Sequence, residues 1–144
     1  MPMKTYAMDA ATGLIKRELG LAAVTADAYI GTQHDQGGAA ATDIACVINV
    51  EACTVSGGDE TYVFRLVGSN VSDRSDGQIL DTLELGDAGT LTIETVDTVA
   101  GDQFIMRART ERNETTFRYI DLHLDVTGAA PSITFGAYIT KEIL

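Results

Sequence analysis

Phe117-Arg118-Tyr119-Ile120-Asp121-Leu122-His123-Leu124-Asp125-Val126-Thr127 alternates apolar and polar side chains almost without interruption. Ile120, Leu122, Leu124 and Val126 fall on one side; Asp121, His123 and Asp125 fall on the other. That is the period-two pattern of a strand with one face in a core and one in water, because successive side chains of extended chain point to opposite sides. The same period recurs upstream. Ile44, Cys46, Ile48, Val50 and Ala52 share a face from Ile44 to Val55, and a turn at Ser56-Gly57-Gly58-Asp59 follows. Thr61 to Val67 then sets Tyr62, Phe64 and Leu66 against Arg65, and Gln103 to Thr110 sets Phe104, Met106 and Ala108 against Ile105, Arg107 and Arg109. Downstream, Ala129-Ala130-Pro131 turns the chain into a last strand with Ile133, Phe135, Ala137 and Ile139 on its inner face.

Between these segments the pattern is weaker. Ala22 to Ile30 is expected to form a first strand, and Gly37-Gly38-Ala39-Ala40-Ala41 has nothing to hold it regular. Ser72 to Gly77 reads as a polar loop, Ile79 to Leu85 as a broken strand and Thr90 to Val96 as another strand, through Leu91 and Ile93. About eight short antiparallel strands with turns every ten or so residues imply an all-β fold, a two-sheet antiparallel sandwich, of which the jelly roll is the eight-stranded form. An immunoglobulin-like sandwich is the competitor, but it usually buries a Trp against a cysteine pair. This chain has no Trp, and its two cysteines lie too close in sequence. Asp9 to Gly20 do not alternate and are expected to form a short helical turn or an extended arm. The expected organisation is an N-terminal arm over residues 1–21 and one jelly-roll domain over 22–144, which suits a chain of 144 residues.

Charge narrows the range of partners. The chain carries a formal −11, and from residue 21 to 106 only Arg65 and Arg74 oppose 14 carboxylates. Such a surface repels phosphate, which argues against nucleic acid and anionic membranes as partners. Cys46 and Cys53, if on one strand, are ~23 Å apart at ~3.3 Å per residue, beyond disulfide reach, and are expected to be free thiols. That suits a reducing compartment. No apolar stretch of signal-peptide length opens the chain.

Catalytic signatures are missing from the sequence: no phosphate-binding glycine loop, dinucleotide fingerprint or nucleophile elbow occurs. The most chemical-looking group is Asp121-x-His123-x-Asp125. Carboxylates four residues apart on a strand are ~13 Å apart, too far for a glycosidase pair needing ~5–10 Å. As a metal site the triplet lacks converging ligands, since the other histidine, His34, is remote in sequence. A solvent-facing strand surface, paired with Arg107, Arg109 or Arg118 on a neighbour, is the plainer reading. The acidic stretches at Asp59-Glu60 and Asp73 to Asp76 suggest calcium, but neither follows the calcium-loop spacing. No cofactor is expected. Sugar binding, the usual alternative use of a jelly roll, needs exposed aromatic rings, and Tyr6, Tyr29 and Tyr138 are the candidates.

Three stretches taken together resemble the jelly-roll cement, or decoration, proteins of tailed-bacteriophage capsids. Met8-Asp9 through Leu14 and Leu19 to Ala22-Ala23-Val24-Thr25-Ala26-Asp27-Ala28-Tyr29 is similar to a family leader ending in A-V-T-A. Ala100 to Arg107 is similar to a family strand entered through a glycine. Arg118 to Val126 resembles the family's R-Y-L-R-L-N-Y-x-V strand, with Asp121 and Asp125 where that pattern has a basic or neutral residue. The resemblance implies a non-enzymatic structural protein, made in the host cytoplasm, that self-associates as a dimer or trimer. It would bind the major capsid protein on the outer surface of the virion. Tyr6, Met8, Leu14, Ile15, Lys16, Arg17 and Leu19 of the leader, with Arg118 and Tyr119, are the expected contact residues. A jelly-roll carbohydrate-binding module is the alternative. A cupin-type enzyme would need more histidines than the two present.

Overall fold

The computed structural model describes residues 13–141. It holds nine strands: β1 (Ile15–Arg17), β2 (Ala28–Ala40), β3 (Asp43–Cys53), β4 (Thr61–Ser69), β5 (Gln78–Gly86), β6 (Gln103–Arg109), β7 (Glu111–Arg112), β8 (Thr115–Thr127) and β9 (Ile133–Lys141). One sheet has the order β1-β9-β3-β6 and the other β2-β8-β4-β5, with the two-residue β7 beside β8. Every pairing is antiparallel. Leaving out β7, the first strand pairs with the last, the second with the second-last, and so inward to the β4–β5 hairpin. This is an antiparallel ribbon rolled so that its successive pairs fall alternately in two sheets, which is the jelly roll.

The inner faces are those that the alternation singles out. Ile44, Cys46, Ile48 and Val50 of β3 and Ile120, Leu122 and Leu124 of β8 all join one buried cluster. Phe64 of β4 and Phe135 of β9 meet across the two sheets edge to face, centroids 4.9 Å apart, an arrangement that the ring quadrupoles favour. Tyr62 is also fully buried; its hydroxyl donates to the Thr54 carbonyl at 2.7 Å and accepts from the Ser132 amide at 2.8 Å. Both of its hydrogen-bonding roles are therefore met inside the fold.

The structure departs from the sequence reading in five places. Residues 22–27 form no strand but a connection with a single β-bridge, from Val24 to Ile133, so the strand expected over Ala22 to Ile30 starts only at Ala28. The domain begins before residue 22: β1 is an edge strand of the first sheet, hydrogen-bonded to β9, so residues 15–17 are not a detached arm. The Gly37-to-Ala40 stretch lies within β2, which reaches Ala40 opposite Phe117 by way of an irregularity after Asp35. Ala52 is exposed because the β3–β9 register shifts after Val50, and such a shift exchanges the faces. Thr90 to Val96 form no strand; the whole of 87–102 is a connection between β5 and β6.

One tight passage fixes β1. Between Ile30 and His34, β2 carries more residues than the opposing β8, and Gly31 sits in this bulge at φ 72°. A Cβ there would lie 2.2 Å from the Lys16 carbonyl oxygen. Only glycine permits both the left-handed backbone and this approach.

Candidate interaction surface

Asp121, His123 and Asp125 do share the outer face of the second sheet, but arginines other than those expected meet them. Over Asp121 to Asp125 the neighbours of β8 are β2 and β4, whereas Arg107 and Arg109 ride on β6 of the other sheet and Arg118 belongs to β8 itself. Arg65 of β4, opposite His123, places Nη1 3.3 Å from the Asp125 carboxylate. Arg74, from the loop after β4, lies 3.0 Å from Asp121 Oδ1, while Gln33 Nε2 donates to Asp121 Oδ2 at 2.7 Å. The Arg74 guanidinium also sits 4.0 Å above the Tyr29 ring, and Tyr29 meets His123 edge to face. Both oxygens of Asp121 are thus engaged, and one face of Tyr29 is covered by a cation where a sugar-binding platform needs it open. Among the described residues, no three His, Cys, Asp or Glu side chains converge on a point that could hold a metal ion.

The expected contact residues are scattered. Tyr6 and Met8 lie outside the described residues. Leu14 is in the core and Lys16 is 3% exposed, so neither can face a partner while the domain is folded; this corrects their assignment to an exposed leader. Lys16 alternates inward from β1 and reaches through the sandwich. Its ammonium donates to the Thr32 carbonyl at 2.8 Å, in the β2 bulge, and to the Ile120 carbonyl at 3.1 Å. Burial pulls its pKa down to about 8, an effect that the nearby Asp121 charge only partly offsets. Ile15 is half-buried, and Arg17 Nε donates to the Phe135 carbonyl at 3.0 Å. Leu19 is 61% exposed and lies over Gly136; with Ile15, Asn49 and Tyr138 it lines a recess of about 220 Å³. Arg118 forms a two-pronged bridge with Asp35, at 2.8 and 3.0 Å, beside the Tyr119 ring. That fork, then the Gly37 amide, holds the Asp35 carboxyl down to about 2.

A different surface stands out. The connections 18–27, 54–60, 87–102 and 128–132 gather at one end of the sandwich. Gly20 donates its amide to the Glu51 carboxylate, Val24 pairs with Ile133, Thr54 with Ser132, and Gly101 and Asp102 with Val50. Asp87 donates its amide to the Glu60 carbonyl and Thr98 to the Gly86 carbonyl, which anchors the longest connection at its base. Together these four segments contain eight carboxylates and no Lys, Arg or His. They also present large aliphatic side chains to water: Ile93 is 86% exposed, Val96 70%, and Leu21 and Val99 more than half or close to it. A groove of about 190 Å³ runs into this end, lined by Leu85, Leu91 and Phe104 together with Glu84, Glu94 and Asp97.

Nothing in the Thr90-to-Val96 alternation distinguishes these aliphatic residues from a core face. The available signal was charge: a segment whose aliphatic residues are interspersed with Glu94, Asp97 and Asp102 and with no basic residue is a poor candidate for burial between sheets. No model of a known protein family matches the chain, and no curated protein matches it.

Proposed function

We propose that this chain is a non-enzymatic structural protein that binds the outer surface of an assembled capsid shell and stabilises it, as the phage decoration proteins that its sequence resembles do. The supporting observation is the loop end of the jelly roll, where Leu19, Ile93 and Val96 stand in water although a folded core is available to the chain. Grouped exposed aliphatic residues on a soluble domain mark surfaces that a partner covers. Rigidity supports the same reading. The jelly roll holds these side chains on connections pinned at both ends, so little conformational entropy is lost when they are covered. In this reading the major capsid protein is the partner, and copies of the chain associate with one another as a dimer or trimer on the virion. A carbohydrate-binding role has no comparable support, since Arg74 occupies a ring face of Tyr29.

The test is to mix the purified protein with shells of the cognate major capsid protein that lack it, then sediment. Saturable co-sedimentation and a higher temperature of shell rupture are expected. Protein that stays in the supernatant at all shell concentrations overturns the proposal.

A further inference from the structure

The groove beside Leu91 combines two properties that together specify an occupant. Its apolar lining, Leu85, Leu91 and Phe104, continues to the exposed Val96, and Leu91 is shared with an adjoining recess lined by the exposed Ile93. Such a surface gains by being covered, by roughly 25 cal/mol for each Å² of apolar area removed from water. Its charged lining, Glu84, Glu94, Asp97 and Asp102, is of one sign only. Glu84 accepts from the Thr92 amide at 2.7 Å and Asp97 from the Ala88 amide at 2.8 Å, so these carboxylates are held in place by neutral donors. Hydrogen bonds to amides position a carboxylate without neutralising it. No basic residue lines the groove, and no salt bridge among the described residues involves Glu84, Glu94 or Asp97.

A neutral apolar segment would leave that charge uncompensated and partly desolvated, and an acidic one would be repelled. A long side chain with an aliphatic stem and a cationic head satisfies both parts, the stem against Leu91 and Phe104 and the head among the carboxylates. Arginine in particular is a frequent anchor in interface pockets. We infer that this groove receives an Arg or Lys side chain projecting from the capsid surface, with Ile93 and Val96 packing around the anchor. This rests on the capsid reading above and names the chemistry of its contact. It also reverses the expectation that the leader's basic residues make the contact: at this end the chain supplies the negative side.

Three full-length proteins test it by co-sedimentation with the same shells: wild type, Ile93→Ser/Val96→Ser and Glu94→Gln/Asp97→Asn. Asn keeps the acceptor that Asp97 offers Ala88, and Ile93 and Val96 are exposed, so unchanged thermal unfolding of each variant confirms an intact fold. Both variants are expected to bind at least about tenfold more weakly than wild type. Wild-type binding is expected to weaken as salt rises from about 50 to 500 mM, and that dependence is expected to flatten in the carboxylate variant alone. Wild-type affinity in both variants overturns the inference while leaving the capsid reading intact. Absence of wild-type binding to shells removes both. If instead wild type self-associates in equilibrium sedimentation and Ile93→Ser/Val96→Ser is monomeric, a second copy fills the groove and the capsid anchor is wrong.

Discussion

The ammonium of Lys16 lies 3.1 Å from the carbonyl oxygen of Ile120, across the interior from its own strand and 104 residues away in sequence. This bond and its companion to Thr32 tie the short edge strand β1 of one sheet to β2 and β8 of the other. The cost is a cation in the core, and it has a pH signature. Below about pH 8 the lysine is protonated in both folded and unfolded chains, so stability does not vary with its titration. Above that, the folded state releases the proton at about 8 while the unfolded chain keeps it to near 10.5, so stability rises with pH. The opposite slope sets in near pH 9, where unfolded thiols ionise while burial holds Cys46 up to about 12 and Cys53 up to about 11. Lys16 alone adds about 1 kcal/mol from pH 8 to 9, and the two thiols offset more than half of that. Urea unfolding is therefore expected to show a small net gain to pH 9 and a decline above it, while the stability difference between wild type and Lys16→Met changes by about 1 kcal/mol over the same interval. Lys16→Met should abolish the gain and keep the decline.

Gly31 and Gly136 flank β1 on opposite sides and should respond differently to alanine. At Gly31 a Cβ meets the Lys16 carbonyl at 2.2 Å, a backbone atom, at a left-handed φ of 72°. Neither the bulge nor β1 can yield alone. Gly31→Ala is expected to cost about 2–4 kcal/mol through backbone strain and displacement of β1. At Gly136 the obstacle is Leu19 Cδ2 at 2.7 Å, the far end of a flexible, exposed side chain. Gly136→Ala is expected to cost less than about 1 kcal/mol, with Leu19 rotating away. Chemical denaturation of both variants compares the two, and methyl shifts of Leu19 report the second.

Two arginine bridges separate burial from proximity. Arg74 holds Asp121, whose side chain is 3% exposed, so Arg74→Ala leaves a buried carboxylate with Gln33 as its remaining side-chain donor. A loss of roughly 2–4 kcal/mol is expected, toward the low end because Arg74 is itself partly exposed. Arg118 and Asp35 form the better fork but stand in water, where screening and side-chain entropy cancel most of the attraction. Arg118→Ala should hardly move the denaturation midpoint. It should, however, return the Asp35 carboxyl from about 2 toward the ordinary carboxylate range in an NMR titration, because the fork is the main cause of its lowering.

The strands with a clean inner face were legible: β3, β4, β6, β8 and β9 appear where Ile44, Phe64, Met106, Leu122 and Phe135 alternate with polar neighbours. What escaped was set by long-range partners. Lys16 reads as a surface residue because nothing local reveals that a bulge in β2 offers it the Thr32 carbonyl. Gly37 to Ala40 have little strand preference of their own; pairing with β8 holds them, helped by Gln36 Nε2 donating to the Phe117 carbonyl at 2.8 Å. Leu91 and Ile93 alternate as a strand does, yet no neighbouring strand pairs with them, so their side chains reach solvent and a groove. For the surface, the resemblance directed attention to the leader, part of which the fold buries, while all but the last three residues of the acid-rich aliphatic connection lay outside the three stretches that carry the resemblance.

The two cysteines lie on one strand, are both free, and should differ in reactivity by their depth. Cys46 points into the core and is fully buried; loss of hydration raises its thiol to about 12, which leaves little thiolate to react at neutral pH. Cys53, near the end of β3 after the register shift, is only partly buried, although burial and the nearby Glu60 charge still raise it to about 11. A disulfide reagent at about pH 8 is therefore expected to label one thiol per chain slowly in the native protein and the second only at the rate of global unfolding. Cys53→Ser should leave a single class that reacts as slowly as the protein unfolds, and added urea should speed it in step with the unfolding rate. Fast labelling of Cys46 in that variant would show that the β3–β6 edge opens without the rest of the sandwich.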